Sequence, residues 1–136
     1  MRTKWFIGCL LVAALTTGCN PLSSEPDNAQ PITQTTLPPD PDQSASKQSA
    51  QAFIKARANE DGTIHELGPS IERIFGDWEK GGNRAFIATN LDGSLATPEN
   101  GRRIANTFAD WQNSESGEGQ VSVYDKSGKL LYMGPF

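Results

Sequence analysis

Ile71-Glu72-Arg73-Ile74-Phe75-Gly76-Asp77-Trp78 is the segment from which the architecture is read. Ile71, Ile74, Phe75 and Trp78 stand at i, i+3, i+4 and i+7, a spacing that gathers side chains on one face of an α-helix. Gly68-Pro69-Ser70 before them offers a start and Gly81-Gly82 after them a stop, so the spacing predicts a helix here. A later helix is announced by Thr97-Pro98-Glu99: a threonine able to cap free amides, proline at the first helical position and an acid in the first turn. Ile104, Phe108 and Trp111 continue it on one face. Upstream, Ser46 opens a helical stretch with Ala50, Phe53, Ile54 and Ala58 on one side, ended by residues 59–62. Residues 84–90 read as a strand turned by Asp92-Gly93. Residues 120–124 and 129–133 form a closing hairpin about Asp125-Lys126-Ser127-Gly128.

A faint repeat runs through this region. Ile71, Phe75, Asp77 and Trp78 recur as Ile104, Phe108, Asp110 and Trp111, each 33 residues later. The expected fold is therefore a small α+β domain over residues 46–136. Two or three helices pack on a short, mostly antiparallel sheet, and the repeat offers a duplicated helix–strand–strand unit, with chance similarity of two amphipathic helices as the alternative.

Composition narrows the function. The chain holds 12 basic and 16 acidic residues. Losing residues 1–18 would remove Arg2 and Lys4, leaving 10 basic residues against 16 acidic, a formal −6. Such a balance argues against nucleic acid, whose binders present a basic face, and against docking on anionic headgroups by charge. The only cysteines are Cys9 and Cys19, both ahead of the expected domain, which leaves that domain no thiol chemistry and no cysteine metal ligand.

At the N-terminus, Arg2 and Lys4 precede an apolar run over residues 5–15 that is shorter than the roughly 20 residues needed to cross a bilayer. Thr16-Thr17-Gly18-Cys19 follows and resembles the lipobox of bacterial lipoproteins, with Thr16 where the family prefers leucine. The resemblance implies cleavage of a signal peptide spanning residues 1–18 and diacylglycerol, with a further acyl chain such as palmitate, on Cys19. Two or three chains would anchor stably, at about 0.8 kcal/mol per buried methylene. Asn20, where inner-membrane retention favours Asp, implies the outer membrane. Residues 19–45 would then be the acylated cysteine and a disordered tether, rich in Pro, Ser, Thr and Gln and without an aromatic residue. Within it, residues 30–38 have a second reading as a short partner-docking strand with Ile32 and Leu37 as anchors.

Candidate chemistry is sparse. His65, the only histidine, stands beside Glu66 without a nucleophile motif or further zinc ligands, which favours a surface or structural role. Asp77-Trp78 and Asp110-Trp111 pair a carboxylate with an indole, a combination that glycan sites use; the plainer reading ends each apolar face with Trp and turns each Asp to water. As a carboxylate pair, Asp77 and Asp110 would suit a hydrolase only at roughly 5–10 Å. Asp92-Gly93 and the Asp125 turn lack calcium-loop spacing, and the glycine pairs lack that of a phosphate loop. The closing strand and Gly134-Pro135-Phe136 look like part of SPOR peptidoglycan-binding domains, which continue with another helix and strand. The hairpin is also similar to the last strand pair of thioredoxin-like periplasmic proteins, whose cysteine pair has no counterpart in it. Each likeness spans at most sixteen residues, from Val121 to Phe136.

The expectation is a lipid-anchored, non-enzymatic module without cofactor or metal. It would bind a periplasmic or outer-membrane protein, as an assembly component or as an inhibitor of an envelope enzyme. Peptidoglycan is the rival ligand, and a weak hydrolase using Asp77 or Asp110 a third possibility.

Overall fold

The computed structural model describes residues 35–113 and 117–136. The expected signal peptide, Cys19 and the first part of the expected tether lie outside the described residues. In chain order the elements are α1 (Gln43–Arg57), α2 (Gly62–Leu67), β1 (Ile71–Gly76), β2 (Arg84–Thr89), α3 (Pro98–Gln112), β3 (Gln120–Tyr124) and β4 (Leu130–Pro135). The four strands lie side by side in sequence order. β1–β2 and β3–β4 are antiparallel hairpins, whereas β2 and β3 run parallel because α3 carries the chain back between them. The fold is α+β, with three helices and a mostly antiparallel sheet; two helices precede the first hairpin and one precedes the second.

The helix expected at Ile71–Trp78 is a strand. Its helical spacing arises from a β-bulge: the register with β2 jumps between Ile71 and Arg73, so Glu72 is an extra residue. Ile71 and Ile74, three apart, then both reach the core, as two residues three apart do on a helix. Phe75 falls outside that core cluster, and Trp78 lies in a 3-10 turn beyond the strand. Gly76, at φ 124, has a backbone conformation that an α-helix of L-residues does not use. It follows that the 33-residue correspondence matches a strand to a helix. The match is therefore no basis for a duplicated helix–strand–strand unit, and what recurs among the elements is the pair of antiparallel hairpins.

The other boundaries follow local chemistry. Thr97 caps α3 by accepting the Asn100 amide at 3.1 Å, Pro98 follows it, and Asn113 closes the helix in the left-handed region at φ 48. Asp61 caps α2, accepting the Thr63 amide at 2.7 Å, so Gly62 starts a helix as well as following the end of α1. His65 lies exposed on α2. α1 packs over β1 and α3 over β3 and β4, which places Phe53, Ile104 and Phe108 against Ile74, Ala85, Ile87, Val121 and Val123. At Gly101 α3 approaches β4 closely; a Cβ there would lie 2.9 Å from that of Leu131.

The ordered chain starts before Ser46. Thr36 bridges Lys129 antiparallel; the Leu37 amide donates to the Gly128 carbonyl at 2.8 Å and the Leu130 amide to that of Thr35 at 3.1 Å. Asp40, with its side chain 1% exposed, accepts from Arg73 at 2.9 Å and from the Ser46 hydroxyl at 2.8 Å, and Asp42 caps α1. Residues 35–42 are thus a strap bound to the domain, not free tether. Leu37, expected as an anchor for a partner, is engaged by its own chain.

Candidate functional site

Phe108, fully buried on α3, is the hub of an aromatic cluster. Its ring meets Phe53 of α1 at 5.8 Å, Trp78 at 5.3 Å, Trp111 at 5.9 Å and Phe136 at 5.2 Å between centroids, all edge-to-face. Phe53 also touches Trp111, at 5.2 Å. Trp78 and Trp111 lie at the rim, half-buried, 5.6 Å apart with planes crossing at 58°. The two Asp-Trp pairs that the sequence singles out therefore converge through their indoles. α3 supplies one from its last turn, and the 3-10 turn after β1 supplies the other.

Their carboxylates have different fates. Asp77 builds the β1–β2 connection. Its Oδ1 accepts the Arg84 amide at 2.8 Å, and its carbonyl accepts those of Lys80 at 3.0 Å and Gly82 at 2.9 Å. A Cβ on Gly82 would fall on the Asp77 carboxylate, so glycine is required there. Asp110 is exposed on α3. Glu79, next to Trp78, accepts from the Ser49 hydroxyl at 2.9 Å and ties the turn to α1.

The rim occupies one end of the sheet. Gly76 pairs with Ala85, Arg84 with Gln120 and Gln120 with Pro135 at that end. The strap joins the other, where Ile71 pairs with Thr89 and Tyr124 with Leu130. Strands of this length separate the two ends by about 20 Å.

Elsewhere the polar groups are structural. Thr107 donates to Asp61 at 2.9 Å and Arg103 pairs with Glu66 at 2.6 Å, joining α3 to α2. Burial opposes ionisation of Asp61, but hydrogen bonds from Thr107 and Thr63 and the charge of Arg57 hold it below its ordinary 3.8. Asp125 is held low against burial in the same way, by Ser127 and Lys129 in the hairpin turn. Among the described residues no three His, Cys, Asp or Glu side chains are grouped to hold a metal ion, and no helix is long and apolar enough to cross a membrane. Comparison with protein-family models, with curated proteins and with solved structures finds no match.

Sequence patterns missed three parts of this arrangement. Phe136 as a floor for Phe108 had no signal beyond being aromatic. Asp40 and Arg73, 33 residues apart, are a pair no local pattern reveals. Tyr124, fully buried on the sheet, has no sequence signal beyond its place in the strand.

Proposed function

We propose that this chain is a lipid-anchored envelope protein whose α+β domain is a non-enzymatic module for a periplasmic or outer-membrane protein partner. In this reading residues 1–18 are the signal peptide, Cys19 carries the acyl chains and the domain faces the periplasm from the outer membrane. The observation that carries the reading is the meeting of Trp78 and Trp111, half-buried, at the end of the sheet away from the strap. A chain anchored through its N-terminus would hold the strap end toward the membrane and offer the indole end to the periplasm. Half-buried tryptophans on a rigid base suit a protein interface, because aromatic anchors lose little entropy on binding and bury much area.

Peptidoglycan is the second reading, favoured by the exposed Asp110 beside Trp111. The 58° between the indole planes favours the protein partner instead, because the two rings do not form one flat platform on which a sugar ring could stack.

The test is affinity capture from crosslinked cells with the full chain tagged after Phe136. A recurrent protein, lost from Cys19→Ala and from the surface variant Asp110→Arg, is the expected result. Retention on purified cell-wall sacculi with no protein adduct would turn the reading to peptidoglycan.

A further inference from the structure

Trp78 and Trp111 rest on rigid neighbours, both against Phe108 and Trp111 also against Phe53, and remain half-exposed at the rim. An indole attracts a cation more strongly than any other aromatic side chain, because its quadrupole places negative charge over the ring face. The free charge beside the two rings has the same sign. Glu79 follows Trp78 and is exposed; its Oε1 accepts from the Ser49 hydroxyl at 2.9 Å, while Oε2 makes no bond among the described residues. Asp110 precedes Trp111, is exposed and has no hydrogen-bond or ion-pair partner among the described residues. Lys80 is the exposed cation of the same turn, so the unpaired charges next to the indoles are two acids against one base. Residues 19–136 as a whole, at a formal −6, would steer a cationic surface toward the domain.

Taking the indole end as the partner surface, the reading on which this rests, we propose that the group it receives is a cationic side chain of the partner protein, an arginine in preference to a lysine. The guanidinium is planar and weakly hydrated, so it can lie over an indole with little loss of solvation, whereas an ammonium holds its water more tightly. Glu79 and Asp110 supply the opposite charge from the two sides of the pair, one from the turn after β1 and one from the last turn of α3. Tryptophan and arginine are also the side chains that most often carry the binding energy of an interface, and such anchors tend to meet each other across it. Lys80 opposes the same cation and sets a sign that a variant can reverse.

The test follows the indole N–H resonances of the full chain in nonionic detergent, with Trp5→Phe so that Trp78 and Trp111 alone report. The probes are end-blocked leucine–arginine–leucine peptides, compared with the same peptide carrying citrulline, which keeps the shape and removes the charge, and with one carrying glutamate. The arginine peptide should shift both resonances and bind about tenfold more tightly than the citrulline peptide. Glu79→Gln combined with Asp110→Asn, both on the surface, should weaken the arginine peptide, and Lys80→Gln should strengthen it. Equal binding of the arginine and citrulline peptides, tighter binding of the glutamate peptide, or no shift with any of them would overturn the cationic assignment. Crosslinking in cells from Asp110 judges the surface separately: a protein adduct there, with the arginine and citrulline peptides bound equally, would leave the partner surface standing and remove its preference for a cation.

Discussion

Phe108 concentrates more of the domain's cohesion than any neighbouring side chain, because four rings from separate parts of the chain rest on it. Phe108→Ala should cost about 3–5 kcal/mol, read as a lower urea midpoint, since the rigid rings around it cannot collapse into the space left. Charged residues act locally and with a defined pH dependence. Asp61 and Asp125 titrate below 3.8 when folded, so they add stability above their unfolded pKa and lose it as pH falls through the lower folded values. The melting temperature should hold steady down to about pH 4 and fall below it, with a smaller acid loss in the double variant Asp61→Asn, Asp125→Asn. An undiminished loss in that variant would move the acid sensitivity to other carboxylates. At this scale the candidate residues were legible: Trp78 and Trp111 stood out as indoles beside acids. Their approach to 5.6 Å was not, because it depends on the course of β1 and α3 through space.

Among the elements, β1 shows where pattern reading stops. α1, α3, β2 and the closing hairpin were legible because each has a cap, a turn or a run long enough to show one period. β1 is six residues long, and its bulge turns the two-residue period of a strand into a three-residue step. Gly76→Ala separates the readings by sign. In a helix the change would stabilise by about 1 kcal/mol. On β1 the new Cβ would fall on the Arg84 carbonyl at a φ of 124, so a loss of at least about 2 kcal/mol is expected by thermal or urea unfolding. The strap escaped notice for a different reason. Its prolines and polar residues have the composition of a linker, and what fixes it is a remote ion pair together with backbone bonds to residues 128–130. Removing one partner of that pair, as in Asp40→Ala, leaves Arg73 partly buried without its carboxylate; the expected cost is about 3 kcal/mol, with faster proteolysis ahead of α1. Unchanged stability and proteolysis would mean the Asp40–Arg73 pair contributes nothing to holding the strap.

At the scale of the whole molecule, the domain has two ends. One takes the incoming strap between Lys129 and Arg73, and the other presents two indoles on a buried aromatic base. The proposed N-terminal lipid anchor would give that polarity a direction, and the proposed binding role depends on it. Nothing in local sequence pattern reports which end a given loop joins; the parallel pairing of β2 with β3 through α3 sets that arrangement. The most direct test places a photocrosslinking residue at Asp110, on the exposed surface beside Trp111, or at Leu95, 54% exposed in the turn after β2 at the strap end. After irradiation of living cells, Asp110 should yield a discrete protein adduct that Leu95 does not. Adducts from Leu95 alone, or from neither position, would contradict the assignment of the indole end as the partner surface.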